Sequence, residues 1–402
     1  MTVSKSTSDV PDLLAAFKSE ALLRPKFDVP SIIDLSRAVF GWASERDDLD
    51  WGINVRRIRE TFGDASHLVL VVVDGLGMNF ISKLDSTSFL CQNLRLELQT
   101  VFPATTSAAV TSLATASWPN RHSIIGWDMY LEEIDAVSTI LRFERRQDGE
   151  PLGSLGVREE QAYPVPSLAG EIDSEMISIV PEGIANTPYS DYWCGHNARY
   201  FTYEKLADGI DAAVSRSRTA SDRSLTYLYV IDVDYAAHEF GTNAPQTVQA
   251  LRHTAAMIER LATQLPAHAR MVLTADHGQL DGPFHDILPT DPLITDLLHE
   301  PWGDAREMHF AVKPGKEGKF EIGFRERFGE IAFLLTVDEV ESLELLGPGP
   351  IGEAARKRLG THLAISRGAD AFMYHAKPNS MKFIGSHSGL TPDEMLVPLV
   401  VV

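Results

Sequence analysis

Short, continuous apolar runs separated by polar turns dominate the hydrophobic pattern of this chain. The first strong run is His67–Val73 (HLVLVVV), and comparable runs lie at 225–231 (LTYLYVI), 271–275 (MVLTA) and 396–402 (LVPLVVV). Runs of this length, rich in β-branched residues and closed by turn residues, are typical of central strands buried on both faces of a sheet. The pattern therefore predicts four buried strands.

A different period appears between the second and third of these runs. Apolar residues recur there at steps of three and four, at Val248, Leu251, Ala255, Ile258, Leu261 and Leu265. This spacing predicts an amphipathic helix. A strand, a helix and a strand in this order form a βαβ unit, which favours an α/β fold with a mainly parallel central sheet.

The rest of the sequence predicts one large domain that carries insertions. We expect a single catalytic domain over residues 1–402, with an irregular, partly helical start. Residues 128–200 and 282–385 do not follow the strand–helix alternation, and we interpret them as insertions that form a cap over the active site. Alternatively, each insertion lies on the protein surface and does not contact the site.

Composition and charge exclude some classes of function. The formal net charge of −20 argues against binding of a nucleic-acid polymer, which needs a basic face. A small phosphate-bearing substrate remains compatible, because bound metal ions reverse the local field. The N-terminus has no signal-peptide pattern and no apolar run approaches the ~20 residues that span a bilayer. We expect a cytoplasmic protein without membrane contact.

Carboxylates and imidazoles follow the predicted strands. Asp74 comes directly after the first run in VVVDGLG, and Asp276 and His277 follow the third run in TADHGQ. In DVDYAAHEFG, Asp234 and His238 are four residues apart, which places both on one face of a helical turn. Asp232 is a competitor that spacing alone does not reject. In an α/β sheet these positions meet beyond the carboxyl ends of the strands.

Hydroxyl groups cluster at the start of a second predicted helix. The segment FPATTSAAVTSLATASWPN, residues 102–120, places Thr105, Thr106 and Ser107 where a helix begins. One of them could simply cap the helix. Alternatively, one could be a nucleophile, because helix amides favour an incoming phosphate and a nearby metal lowers the pKa of a hydroxyl.

One more histidine completes a ligand set. His387 lies in a glycine-flanked turn, GSHSGL, before the last predicted strand, where a lone histidine would more often be structural. Together the seven candidates offer three carboxylates, three imidazoles and one hydroxyl, which suits two divalent cations with open positions. The set is Asp74, Thr106, Asp234, His238, Asp276, His277 and His387.

These motifs, in this order, resemble the alkaline phosphatase superfamily, and within it the type I phosphodiesterase/nucleotide pyrophosphatase family with its bacterial branch. The ending GLTPDEMLVPL is also similar to cofactor-independent phosphoglycerate mutases. The resemblance implies an alkaline-phosphatase-like three-layer sandwich. It also implies a ligand set for two zinc ions: one bound by Asp234, His238 and His387, the other by Asp74, Asp276 and His277 with Thr106 as a further ligand.

The resemblance further implies a reaction. Thr106 stands three residues after Pro103, the family's nucleophile spacing, and is preferred to Thr105 and Ser107. Cleavage of a phosphodiester or phosphoanhydride bond would then pass through a phospho-threonine intermediate. Manganese or iron would fit the same ligands. A phosphomonoesterase, phosphonate hydrolase or phosphomutase of the same superfamily is the alternative, and a non-catalytic metal-binding scaffold is a remote one.

One position departs from the family pattern. Nucleotide pyrophosphatases place an asparagine after the nucleophile to bind a phosphoryl oxygen, and Trp127 stands there in this chain, followed by Asp128. An indole offers a single donor and a carboxylate repels an anionic oxygen. We therefore expect oxyanion stabilisation from elsewhere, either the backbone amide of Thr106 or Ser107 or the inserted segments.

Overall fold

A central sheet of seven strands organises the computed structural model, which describes residues 8–44, 52–172, 174–195, 199–220, 222–375 and 383–402. The strands, in chain order, are β1 (His67–Val73), β2 (Leu94–Gln99), β3 (Asp128–Leu131), β4 (Ala136–Thr139), β5 (Glu144–Arg145), β6 (Glu175–Pro181), β7 (Arg199–Tyr203), β8 (Ser224–Val230), β9 (Ala269–Thr274), β10 (Leu280–Asp281), β11 (Phe284–Ile287), β12 (Trp302–Gly303), β13 (Glu307–Phe310), β14 (Ala332–Thr336), β15 (His362–Ser366), β16 (Ala371–Tyr374), β17 (Gly385–Ser386) and β18 (Leu396–Val401).

Helices connect the strands and pack against them. They are α1 (Val10–Lys18), α2 (Ile32–Ala43), α3 (Ile53–Glu60), α4 (Met78–Ile81), α5 (Phe89–Gln92), α6 (Thr106–Thr115), α7 (Pro119–His122), α8 (Glu159–Ala162), α9 (Pro188–Cys194), α10 (Leu206–Thr219), α11 (Asp232–Phe240), α12 (Pro245–Gln264), α13 (Glu317–Phe328), α14 (Val337–Ser342), α15 (Glu353–Arg358) and α16 (Pro392–Met395). Among the described residues, no helix combines the length and the apolar character needed to cross a bilayer.

The order of the central sheet is β2-β18-β9-β1-β8-β6-β7. The pairs β9-β1, β1-β8, β8-β6 and β6-β7 are parallel, and β18 runs antiparallel to both of its neighbours. Every residue of β1 and β8 is buried, as expected for strands covered on both faces. The prediction of an α/β fold with a mainly parallel sheet is confirmed, and the four predicted strands and the amphipathic helix are present.

Both edge strands of the sheet escaped prediction. In β2 (LRLELQ) charged and apolar residues alternate, and in β7 (RYFTY) most positions are exposed. Neither strand forms a continuous apolar run, because an edge strand buries only part of its surface. One expected boundary is therefore wrong: β6 and the start of β7 extend the central sheet, so the last part of 128–200 is not an insertion.

Residues 302–366, which lie between β9 and β18 in the chain, form a second, smaller sheet. Its strands β12, β13, β15 and β14 pair antiparallel in that order. A separate apolar cluster supports this sheet, with Phe310, Phe320, Phe324 and Phe372 nearly or fully buried in it. The inserted sheet thus has a core of its own.

A buried ion pair joins the inserted sheet to α16, the short helix that precedes β18. The Arg306 Nε atom donates to Glu394 Oε1 at 2.6 Å, and both side chains are fully buried. The same carboxylate accepts hydrogen bonds from the backbone amides of Gly389 and Thr391. Arg306 also donates to the carbonyls of Gly368 and Asp370, so its charge is well compensated.

Removing one partner of this pair should strongly destabilise the protein. We expect Arg306→Ala to lower the free energy of unfolding by about 3–5 kcal/mol, because the Glu394 carboxylate loses its buried counter-charge. Urea unfolding followed by fluorescence measures the loss. Arg356→Ala is the matched control, since Arg356 pairs with Glu341 near the surface and such pairs contribute little. Equal losses in the two variants would contradict this role of the buried pair.

Candidate active site

The candidate residues lie together at one end of the strands of the central sheet. At this end β2, β9, β1 and β8 finish and the antiparallel β18 begins. Asp74 follows β1, Asp276 follows β9, and Asp234 lies in α11 directly after β8. Because β18 is antiparallel, it begins where the parallel strands end. His387 lies just before the start of β18 and therefore at the same end of the sheet. This end is where α/β sheets bind their ligands.

The first cluster consists of Asp74, Asp276, His277 and the Thr106 hydroxyl. The His277 Nε2 atom lies 3.1 Å from Thr106 Oγ1, and 3.6 Å from both Asp74 Oδ1 and Asp276 Oδ2. The ligand atoms of the two carboxylates and His277 all lie within 4.8 Å of one another. Four polar atoms therefore converge on one small volume.

Each carboxylate in this cluster has one oxygen bound to the protein and one oxygen without a partner. Tyr229 donates its hydroxyl to Asp74 Oδ2 at 2.6 Å, and Asp276 Oδ1 accepts from the amides of Gly75 and His277. Asp74 Oδ1 and Asp276 Oδ2 are buried and make no hydrogen bond in the described part of the chain. Buried oxygens of this kind need a compensating positive charge, and both face His277 Nε2.

The second cluster consists of Asp234, His238 and His387, whose ligand atoms also lie within 4.8 Å of one another. His238 Nε2 is 3.4 Å from Asp234 Oδ2, while Gln279 donates to the other Asp234 oxygen at 3.2 Å. The His387 ring stacks on His277 with centroids 3.8 Å apart, so the two clusters adjoin. Two candidate cation positions thus lie side by side.

Backbone carbonyls determine how the three imidazoles are oriented. The Nδ1 atoms of His238, His277 and His387 contact the carbonyls of Gly385, Gly278 and Ala104, at 2.9, 3.1 and 3.2 Å. A carbonyl only accepts, so each Nδ1 donates the hydrogen bond and each Nε2 is the ring nitrogen left for the cluster. This is how ligating histidines are commonly held.

Burial sets the electrostatics of the site. Burial, and then the charges of Asp234 and Asp276, raise the pKa of Asp74 well above its usual range. Burial also raises the pKa of Asp276, and it holds the pKa of His387 well below its usual range. Carboxylates in such surroundings require protons or cations, and a neutral imidazole is ready to bind a metal ion.

The donor sets therefore fit two divalent cations. Oxygen and imidazole ligands suit zinc, manganese and iron alike. The turn after β1 depends on Gly75, which has a φ of +70°. A Cβ atom at Gly75 would lie 2.9 Å from the Asp234 Cβ atom, so the Asp-Gly pair allows the two clusters to approach.

The structure separates the alternatives that spacing left open. Thr106 points its hydroxyl at His277, whereas Thr105 bonds to Asp304 and Ser107 donates to the Gly126 carbonyl. Asp234, and not Asp232, belongs to a group that could hold a metal ion. Thr106 is thus the hydroxyl at the first cluster.

Sequence reasoning missed the residues that support these side chains. Tyr229, Gln279 and Asp304 contact Asp74, Asp234 and Thr105 only through the tertiary fold. Tyr229 lies inside an apolar strand, and Asp304 lies in an inserted turn. Neither has a local sequence pattern that points to the site.

The region around Trp127 does not supply a side-chain amide in place of the asparagine that nucleotide pyrophosphatases use to bind a phosphoryl oxygen. Asp128 accepts from Thr139 at 2.8 Å and pairs with Arg146, so its carboxylate is compensated. The indole N–H of Trp127 makes no hydrogen bond to any described residue. Gly126, next to Trp127, is held against α6 by the Ser107 hydroxyl.

A family comparison decides the classification. The sequence profile of the type I phosphodiesterase / nucleotide pyrophosphatase family matches residues 68–325. The chain belongs to this family. As a nucleotide pyrophosphatase/phosphodiesterase it is a metal-dependent phosphodiester hydrolase, and the matched range includes every candidate ligand except His387.

Solved structures show the same fold. Human ectonucleotide pyrophosphatase/phosphodiesterase 5 superposes with a TM-score of 0.62 at 14% identity, covering 83% of this chain and 87% of that chain. An inactive threonine-to-alanine variant of the murine protein, in complex with AMP, gives 0.60 at 13% identity over the same shares. The predicted alkaline-phosphatase-like fold is confirmed. A search of curated proteins found no match.

Metal removal should reduce the stability of this phosphodiesterase. We expect chelator-treated protein to unfold at a lower temperature than zinc-loaded protein, because cations compensate the unpaired oxygens of Asp74 and Asp276. Differential scanning fluorimetry across a zinc titration measures the midpoint. The midpoint should rise with zinc concentration, and a flat response would contradict a metal site here.

Proposed function

We propose that the protein hydrolyses small phosphodiesters or phosphoanhydrides by way of a phospho-threonine intermediate on Thr106. The observation that carries the proposal is the Thr106 hydroxyl, which lies 3.1 Å from His277 Nε2 beside the two unpaired carboxylate oxygens. A hydroxyl held at a cluster of metal-ligating groups is suited to attack on phosphorus.

Two divalent cations, which we propose to be zinc, would complete the site. Asp234, His238 and His387 would hold one, and Asp74, Asp276 and His277 would hold the other with the Thr106 oxygen. Bound there, such ions lower the pKa of a hydroxyl or a water molecule and neutralise charge on the leaving oxygen. Manganese and iron fit the same donors.

The proposed reaction proceeds in two displacement steps at phosphorus. The carboxylate and imidazole clusters hold the Thr106 oxygen in place, and a bond forms between it and phosphorus as the bond to the leaving oxygen breaks. The Thr106 proton passes to solvent. In the second step a water molecule attacks the same phosphorus, the bond to Thr106 breaks, and the threonine regains a proton while the phosphate product leaves.

Backbone amides at the start of α6 replace the family's asparagine in this proposal. The amides of Thr106, Ser107 and Ala108 make no hydrogen bond to any described residue, because they precede the first intrahelical bond. They stand beside the Thr106 hydroxyl and, with the helix dipole, favour an anionic phosphoryl oxygen. A three-amide site of this kind serves as an oxyanion hole.

The family match supports a diester or an anhydride as the substrate. Because a murine relative of the same fold binds AMP, nucleotide diesters and anhydrides are the first substrates to test.

Replacing Thr106 should abolish turnover and leave the metal sites in place. We expect Thr106→Ala to lose at least about a thousandfold in kcat on bis-p-nitrophenyl phosphate, because the nucleophile is absent. Stopped assays of zinc-loaded protein against this diester and against p-nitrophenyl phosphate measure activity and preference.

Thr106→Ser is the matched control and should retain part of the activity through its hydroxyl. Near-normal activity of Thr106→Ala would disprove the intermediate. Preference for the monoester would instead indicate a phosphomonoesterase. If the protein hydrolyses neither substrate, phosphonates and sugar phosphates should be tested next.

Replacing His387 should affect one cation alone. We expect His387→Ala to retain about one tightly bound equivalent of zinc, because the ligands Asp74, Asp276 and His277 remain complete. Metal analysis after gel filtration measures the stoichiometry. His268→Ala is a control away from the site, since His268 contacts the Ser217 carbonyl. Two full equivalents in His387→Ala would refute the ligand assignment.

A further inference from the structure

Thr105 occupies the N-cap position of α6 without capping it. Its backbone has the extended conformation of an N-cap residue, with φ −129° and ψ 149°, yet its side chain accepts no hydrogen bond from the helix. Ser31, Thr187 and Thr336, at the starts of α2, α9 and α14, each accept from the amide three residues later. Thr105 therefore departs from the usual behaviour of a hydroxyl at this position.

Asp304 accounts for the difference. The Thr105 hydroxyl donates to Asp304 Oδ2 at 2.6 Å, and Thr105 is fully buried. Asp304 itself is held in a tight turn, because the Ala305 amide donates to its Oδ1 at 2.7 Å and its own amide donates to the Glu307 carbonyl. The turn joins β12 to β13 in the inserted sheet, so a residue outside the central sheet controls this hydroxyl.

The consequence lies in the first turn of α6. A threonine at an N-cap can turn its hydroxyl onto the amide of the second or third helical residue, here Ser107 or Ala108. Such a bond would occupy one of the amides that face the substrate beside Thr106. Because the Thr105 hydroxyl is directed to Asp304, these amides stay open.

We propose that Asp304 is a positioning residue that keeps the N-terminus of α6 free to bind the phosphoryl group, by holding the Thr105 hydroxyl away from the helix amides. This inference rests on the proposed function, since it assumes that the phosphoryl group binds at these amides. It assigns the inserted turn a role in binding the substrate without contact to it.

The decisive experiment compares three variants of the zinc-loaded full chain on bis-p-nitrophenyl phosphate. In Asp304→Ala the Thr105 hydroxyl is released and closes the cap, so kcat/KM should fall about tenfold, the size of a typical cap interaction. Asp304→Asn keeps a hydrogen-bonding partner for Thr105 and should remain within about threefold of the unmodified protein.

The third variant reverses the effect. Asp304→Ala combined with Thr105→Val removes the N-cap hydroxyl itself, so kcat/KM should recover most of the loss. A second readout needs no activity: in chelator-treated protein, Asp304→Ala should unfold at a higher temperature than the double variant, because only the single variant gains a cap.

Two results would overturn the proposal. If the double variant is no more active than Asp304→Ala, Asp304 acts as a general support of the fold. If Asp304→Asn and Asp304→Ala change kcat/KM alike, the charge of Asp304 is what matters. Thr336→Val, which removes a distant N-cap hydroxyl, should lower stability and leave kcat/KM unchanged.

Thr106→Ala separates this inference from the proposed function. An inactive Thr106→Ala with a fully active Asp304→Ala refutes the positioning role alone, whereas an active Thr106→Ala refutes the proposed function itself.

Discussion

The burial of several carboxylates at one sheet edge is the constraint on which the rest of the site depends. Asp74 and Asp276 are buried beside one another, and each has an oxygen without a hydrogen-bonding partner in the described chain. Like charges this close cannot all remain ionised in a region of low dielectric unless a counter-charge is present. A pair of divalent cations would meet this requirement, and it would also supply the chemistry for the proposed phosphoryl transfer.

The fold meets the constraint through strand direction and backbone groups. Four strands pointing one way deliver side chains from their carboxyl ends, and the antiparallel β18 brings His387 to the same edge from its own beginning. Carbonyls of Ala104, Gly278 and Gly385 fix the imidazoles, so no further charged side chain is needed to orient them. A preorganised site of this kind loses little entropy when a cation binds.

Much of this arrangement could be predicted from local sequence, and the reason is physical. Asp74 and Asp276 directly follow buried strands, and buried strands leave continuous apolar runs that mark where they end. The edge strands β2 and β7 leave no such run. Supporting contacts such as Tyr229 to Asp74 join residues 155 positions apart, and only the register of neighbouring strands creates them. Periodicity carries no information about contacts of that kind.

The inserted sheet also contacts residues that lie beside the candidate site. Within three residues of one turn, Asp304 bonds to Thr105 beside Thr106, and Arg306 contacts Ser388, next to His387, and Glu394 in α16. The ends of the central strands thus provide the candidate ligands, and the turn from the inserted sheet contacts the residues next to Thr106 and His387. If the proposed function holds, substitutions in this turn should alter catalysis while every candidate cation ligand remains in place.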